Sequence, residues 1–291
     1  MRLAIHLYDY AAAGCPGPIG PALADAARAA EDGGATALTL IDHWMGEPDP
    51  TTGAPSRAPV LEGYTTLGYL AHATNRIELG LLVTGVTYRE PALLATTVAT
   101  LDALSGGRAF LGIGASWFAY EHQALGVPFP PTAERFDRVD EAVRICRQMW
   151  SDDDGPFHGR HYHLERTVCA AQPLNRTPKV VIAGMGERRT LRLVAELGDA
   201  CNLFSHGHDE VARKIDVLDR HCTDVGRRPS DVTRTLLFTG DPLADPDGFM
   251  RDMAGYAELG IEQVWIGPTG PEPALWVGDA TARFVGPLDS L

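Results

Sequence analysis

The feature that most narrows the fold of this chain is a repeat of pattern rather than of sequence. Short apolar runs suited to buried parallel strands recur eight times, at residues 3–7, 37–41, 77–83, 109–113, 180–183, 200–204, 235–239 and 263–266. Between them lie Ala- and Leu-rich segments with helical spacing, at 22–30, 65–73, 92–104, 133–150, 188–197, 211–225 and 249–259, and a last short helix fits 273–285. Several helices give way to the next strand through glycine or a polar residue, as at Asp32-Gly33-Gly34, Asn75-Arg76, Ser105-Gly106-Gly107, Gly198-Asp199 and Gly260, a pattern typical of helix ends in short connections. Such alternation means a parallel sheet, either open and doubly wound or closed. Eight units over 291 residues, with no break in composition, favour closure into one (β/α)8 TIM-barrel domain spanning 1–291. Catalytic groups then belong just after the strands.

Two stretches break the rhythm and read as insertions after strands 2 and 4. Residues 44–63, rich in Pro, Gly, Asp and Thr, are too long for an ordinary strand-to-helix loop and suit a mobile lid over the barrel mouth. Residues 151–178 suit a small β excursion.

Bulk properties exclude several classes of partner. With 25 Lys and Arg against 38 Asp and Glu the net charge is −13, which argues against nucleic acid or an anionic membrane, so an anionic ligand needs a local positive site. No apolar signal core follows Met1 and no apolar run approaches the roughly 18–20 residues of a membrane span, so a cytoplasmic protein is expected. The five cysteines (Cys15, Cys146, Cys169, Cys201, Cys222) are odd in number and widely spaced, which fits reduced thiols better than a disulfide framework or a metal site.

Two strands end in a G-x-G step, Gly112-Ile113-Gly114 and Gly184-Met185-Gly186. A dinucleotide fingerprint needs another glycine three positions on, where Trp117 and Arg189 stand. The second step still permits close backbone approach, and Glu187-Arg188-Arg189-Thr190 opens a helix whose N-terminal amides complement an anion. The same glycines serve equally well to turn a strand into a helix, and the two arginines face either phosphate or solvent. Asp42-His43-Trp44 places an imidazole and an indole at the mouth, with His43 either relaying protons or fixing the loop as a neutral hydrogen-bonding group. His158, His161 and His163 lack partners at metal-ligand spacing and read as surface residues, so no metal is expected. Around Ser116 the chain reads Gly114-Ala115-Ser116-Trp117-Phe118, which leaves the G-x-S-x-G pattern of serine hydrolases incomplete.

Taken together, Ile41-Asp42-His43, Leu61-Glu62-Gly63-Tyr64-Thr65-Thr66-Leu67, the run from Arg76-Ile77-Glu78 to Thr87-Tyr88-Arg89, Phe129-Pro130-Pro131-Thr132-Ala133-Glu134-Arg135-Phe136-Asp137, and Gly184-Met185-Gly186-Glu187-Arg188-Arg189-Thr190-Leu191 resemble the luciferase-like family, in particular its actinobacterial F420-dependent oxidoreductase branch. The resemblance implies a barrel whose strand ends hold an isoalloxazine or deazaflavin ring, with a non-prolyl cis peptide matched to Leu82-Val83, where periodicity alone reads ordinary strand. It implies cofactor contacts from Asp42, His43, Leu82, Val83, Thr84, Gly112, Gly114 and Ala115, with Gly184, Met185, Gly186 and Glu187 around a phosphate, and Asn202 after the sixth strand. His43 is the implied proton relay, and Trp44 and Trp117 the implied substrate contacts.

Coenzyme F420 is the implied cofactor, with FMN the alternative. The implied function is hydride transfer between the deazaflavin and a small organic substrate, against an FMN-dependent monooxygenase or a noncatalytic flavin- or ligand-binding barrel. Family members are commonly dimers, so a homodimer is an expected assembly. The family's sugar-phosphate dehydrogenases carry a carboxylate in the segment where Trp117 falls here, and an indole cannot titrate as an acid. An apolar or aromatic substrate is therefore expected. Glu121, four residues on, reads as a helical carboxylate turned to solvent, or else as a substitute acid.

Overall fold

The computed structural model describes residues 1–8, 18–46, 48–56, 59–174 and 177–291, so Cys15 and Glu47 lie outside the described residues. The chain runs β1 (Arg2–Leu7), α1 (Ile19–Asp32), β2 (Ala37–Leu40), α2 (Gly63–Ala73), β3 (Glu78–Leu81), β4 (Thr84–Gly85), α3 (Pro91–Ser105), β5 (Leu111–Gly114), α4 (Ala119–Leu125) and α5 (Thr132–Met149). It continues through β6 (Phe157–His158), β7 (His163–Leu164), β8 (Val180–Ala183), α6 (Thr190–Leu197), β9 (Ala200–Phe204), α7 (His208–Asp224), β10 (Thr233–Leu237), α8 (Pro246–Glu258), β11 (Gln263–Ile266) and α9 (Pro273–Asp289).

Apart from the β6–β7 hairpin, all strands join one parallel sheet in the order β3-β2-β1-β11-β10-β9-β8-β5-β4. β3 and β4 are two pieces of one barrel position, separated by a cis Leu82-Val83 peptide, so nine strands fill eight places. The ring closes where Leu79 pairs with Ala109, the Leu79 N–H donating to the Arg108 carbonyl at 2.9 Å and the Phe110 N–H to the Leu79 carbonyl at 3.0 Å. The barrel expected from the strand–helix alternation is thus present, and the open sheet is not.

Strand periodicity sorts side chains into two layers. On β1, Leu3, Ile5 and Leu7 face the helices while Ala4 joins the smaller cluster inside the barrel. That inner cluster is built around Phe110 and Trp265, whose ring centres lie 6.3 Å apart, with Ala4, Ala37 and Ala200 leaving room for them. Gly80 is part of the same fit, since a Cβ there would sit 2.5 Å from the Phe110 ring. The Trp265 Nε1–H donates to Thr235 Oγ1 at 3.2 Å, which satisfies the one polar atom of that ring. The barrel floor is therefore a packed core, and a ligand at the barrel axis has to sit above it.

Three features depart from the sequence reading. The helix read at 188–197 begins at Thr190. Helix α4 went unread, because its seven residues are too few for a periodic signal and its buried positions carry Glu121 and His122 instead of apolar residues. The second insertion holds the expected β excursion, and its β6–β7 hairpin docks on α5: Glu141 accepts from the backbone N–H groups of Arg160, His161 and Tyr162. His161 is consequently tucked against Glu134 and Asp137, and only His158 and His163 are surface residues.

Candidate active site

The C-terminal strand ends enclose a cavity of about 400 Å³. This is the mouth at which barrels of this kind collect their functional groups, and the volume lies in the range of small-molecule sites. Its walls are mostly apolar, from Ile41, Leu82, Val83, Trp117, Phe136 and Leu237, and among the described residues no Lys or Arg lines it.

On one side of the cavity stands His43, just beyond β2. Its Nδ1–H donates to Glu121 Oε1 at 2.8 Å, and the same carboxylate accepts from the Trp44 backbone N–H at 2.9 Å and from the Tyr88 hydroxyl. A carboxylate only accepts, so Nδ1 carries a proton, and in the neutral form of the ring Nε2 is an acceptor. Burial alone pushes the Glu121 carboxyl up, but the donors, His43 foremost, outweigh it and hold it below the usual carboxylate range. The Tyr88 hydroxyl is pushed up by burial and then by Glu121, so it stays a donor. Rings of Trp117 and Phe118, each 5.6 Å from the His43 ring and edge-on to it, complete its surroundings. Glu121 is fully buried, which overturns its reading as a solvent-facing carboxylate.

Beneath His43 the Asp42 carboxylate is gripped by Arg89 at 2.6 and 2.9 Å. Burial raises the Asp42 carboxyl and the guanidinium offsets this. Arg89 also binds Glu62, which caps α2 by accepting from the Thr65 N–H at 2.7 Å, and it lies over the Tyr64 ring. Asp42 thus lines the cavity with its carboxylate tied to Arg89, and it anchors the loop that presents His43.

Of the residues singled out from the sequence, Asp42, His43, Leu82, Val83, Gly114, Ala115, Gly184, Asn202 and Trp117 line the cavity. Asn202 is buried and its Oδ1 accepts from Thr235 at 2.9 Å, so its amide N–H donors are what it can offer a ligand. Six do not line it, and each has a structural task. Thr84 is bonded to the Tyr64 hydroxyl at 2.8 Å inside the core. Gly112 sits where a Cβ would come within 2.0 Å of the Leu81 carbonyl, so it lets the broken third strand approach β5. The Met185 sulfur accepts from the Phe204 N–H at 3.4 Å and props the end of β9. Gly186 keeps its turn tight, since a Cβ would meet Thr190 Oγ1 at 2.8 Å. Trp44 packs on Tyr88, ring centres 4.4 Å apart, behind the cavity wall.

Glu187 is likewise absent from the cavity wall: its carboxylate is drawn to Lys214 at 2.9 Å and to Arg213. Arg189 is drawn to Asp137 at 2.7 Å, and Arg188 is exposed. The turn at 184–190 thus meets the cavity through Gly184, whose φ of +131° suits glycine, and through Thr190 at the head of α6. With the Glu187 charge pulled away, the amides opening α6 are not opposed by their own carboxylate.

Tyr88, Ser116, Phe136 and Thr190 were missed as site residues, while Glu121 was read only as an alternative to a solvent-facing carboxylate. Tyr88, Phe136 and Thr190 stand inside motifs quoted for the resemblance, but nothing in their spacing marks them as facing a cavity. Among the described residues no group of three or more His, Cys, Asp or Glu is placed to hold a metal, and no helix is long and apolar enough to cross a membrane.

Comparison with known proteins fits this geometry. A family model described as luciferase-like monooxygenase matches residues 17–247. A protein named F420-dependent glucose-6-phosphate dehydrogenase from Kineococcus radiotolerans is 38% identical over 163 residues, which is 56% of this chain and 46% of that protein, so the match spans about half the relative's length. An uncharacterized protein of Mycobacterium tuberculosis is 27% identical over 252 residues, 83% of each chain. Among solved structures, an F420-dependent secondary alcohol dehydrogenase in complex with an F420-acetone adduct superposes with a TM-score of 0.83 at 16% identity, covering 99% of this chain and 98% of that one, which shows a shared fold.

Proposed function

The chain belongs to the luciferase-like monooxygenase family, and from that premise we propose that it is an F420-dependent oxidoreductase exchanging a hydride with a small, largely apolar substrate. The observation that carries this reading is the His43–Glu121 pair at the cavity edge, a proton acceptor whose orientation is fixed by a buried carboxylate. Hydride exchange with an alcohol or carbonyl requires a proton to move at the neighbouring oxygen, and a fixed imidazole Nε2 is suited to take or return it. The relatives named for F420 support the choice of deazaflavin over FMN.

The cavity fits a flat ring. Gly114, where a Cβ would crowd Val83 at 2.9 Å, and Gly184 keep its walls shallow, Leu82 and Val83 supply apolar surface, and Asn202 offers amide donors. The Gly184–Thr190 turn would receive a phosphate at its backbone amides. When bound, a deazaflavin supplies hydride transfer; the chain's own residues position the substrate, exclude water and move the proton at His43 Nε2. Glu121 stabilises the imidazolium that results, while Tyr88 and the Trp44 N–H keep that carboxylate in place.

The mostly apolar lining among the described residues suits a largely apolar substrate better than a sugar phosphate, and Trp117 adds apolar surface beside His43. Turnover on a panel of alcohols and ketones with F420, run without oxygen and in air, tests the reading. Reaction independent of oxygen, little activity on glucose 6-phosphate, and a Trp117→Ala variant weakened in substrate KM rather than in cofactor affinity are expected. Turnover only with reduced FMN and oxygen would support a monooxygenase, and cofactor binding without turnover a noncatalytic barrel.

A further inference from the structure

Opposite the use of His43, a second hydrogen-bonded chain leads from the cavity into the protein. Ser116 lines the cavity, and its Oγ lies 2.8 Å from Thr87 Oγ1. Thr87 Oγ1 lies 2.6 Å from His122 Nε2, and His122 Nδ1 lies 2.8 Å from the Phe118 carbonyl oxygen. His122 is fully buried, stacked on Tyr88 with ring centres 4.9 Å apart and packed on Phe129. Ser116 is the one non-glycine residue with positive φ (57°) among the described residues. Arg135 holds this backbone by donating to the Ala115 carbonyl at 2.8 Å while its guanidinium covers Phe129. A side chain kept in a left-handed conformation at a cavity, with its hydroxyl tied to a buried imidazole, is a constrained arrangement that fold alone does not require.

The chain has a fixed direction. A carbonyl oxygen only accepts, so Nδ1 of His122 donates to Phe118. The ring nitrogens meet only that carbonyl and a hydroxyl, with no carboxylate on either, and an unpaired imidazolium in such a place is costly. In the neutral ring Nε2 accepts, so the Thr87 hydroxyl proton points to His122. Thr87 Oγ1 must then accept from Ser116. The Ser116 proton is thereby committed, and its oxygen meets the cavity as an acceptor. His43 lines the same cavity, and with its Nδ1–H given to Glu121 the neutral ring has Nε2 left as a second acceptor.

We propose that Ser116, oriented through Thr87 and His122, is a specificity-determining residue that selects substrates carrying a hydrogen-bond donor at the reacting oxygen, so that the cavity favours an alcohol over the matching ketone. This rests on the proposed hydride-transfer function and adds its preferred substrate form. The alcohol proton satisfies one of the two acceptors, whereas a ketone oxygen placed there faces two lone-pair donors with no proton between them.

Binding separates the two claims. The full chain, with and without F420, is titrated calorimetrically with 1-phenylethanol and acetophenone, and with propan-2-ol and acetone. The alcohol is expected to bind about 10-fold tighter than its ketone in at least one pair. Ser116→Gly, which accepts the positive φ while removing the hydroxyl, should shrink the preference to less than about 3-fold. Thr87→Val should do the same or reverse it, by freeing the Ser116 proton to donate, and Thr87→Ser should restore it. No alcohol preference in any pair, absence of binding included, or a preference unchanged in Ser116→Gly or in Thr87→Val, would overturn the proposal. F420 titrated into the same samples reports on the parent reading separately: cofactor binding with no alcohol preference defeats this inference alone, and alcohol preference without cofactor binding defeats the F420 reading alone.

Discussion

Glu121 shows how one residue can change character between sequence and structure. Four positions after Trp117 on a short helix, a carboxylate belongs in solvent by composition alone. Here the buried positions Phe118, Glu121 and His122 follow helical spacing, and two polar residues occupy what would ordinarily be apolar places. His43 was legible from its position after the second strand, but its partner lies 78 residues away and no local pattern joins them. We predict that His43→Ala slows the chemical step by about 10²-fold with F420 affinity nearly unchanged, measured in single turnovers. Glu121→Gln should slow it by roughly 10-fold, because an amide holds the ring without stabilising its charge. Unchanged single-turnover rates in both variants would remove the proton-relay role.

A second histidine yields a stability prediction at the same scale. His6 on β1 is buried, with Nδ1 2.9 Å from Thr39 Oγ1, and burial lowers its pKa from 6.5 to about 4. The folded state thus favours the neutral ring. Its contribution is fully present above pH 6.5 and is lost as the pH falls from there toward 4, by about 3 kcal/mol across that window. His6→Asn, which keeps a donor for Thr39 and cannot charge, should flatten the acid side of the Tm–pH curve between those values. A curve as steep as the wild type's would assign the acid loss elsewhere.

Among elements, the third strand carries the most information. Periodicity reads residues 77–83 as one strand, and only the family resemblance placed a cis bond at Leu82-Val83, where the structure has it. What neither reading supplied was the reason for Gly112. Its missing side chain is the room into which the Leu81 carbonyl fits, and that explains why a glycine expected to touch a cofactor lies behind the wall instead. Gly112→Ala should therefore cost about 2–3 kcal/mol, because backbone on both sides must move. Gly278→Ala, in α9 with nothing within 4 Å of the new methyl, should gain roughly 0.5–1 kcal/mol. Thermal melts of the two variants shifting in the same direction would contradict this account. The remaining elements were legible wherever a run was long or bounded by glycine, as at Gly106 (φ +74°) and Gly260 (φ +85°), and illegible in α4, where seven residues give no periodic signal.

For the whole molecule, the alternation of strand and helix was enough to reach the barrel, and the barrel fixes where chemistry can occur, since Phe110 and Trp265 fill its interior. The site is another matter. Several strand-end residues read from the sequence line the cavity, but the partners that hold each group come from far along the chain: Arg89 for Asp42, Tyr64 for Thr84, Lys214 for Glu187. Within a molecule of net charge −13 the described cavity walls are mostly apolar, the Asp42 charge is paired with Arg89, and the helix-start amides at the Gly184–Thr190 turn offer a local positive site. The central claim is that this mouth holds a deazaflavin, and the most direct test is a calorimetric titration of the full chain with F420 and, separately, with FMN. The account predicts micromolar or tighter binding of F420, with FMN at least about 10-fold weaker. Tighter binding of FMN would contradict it.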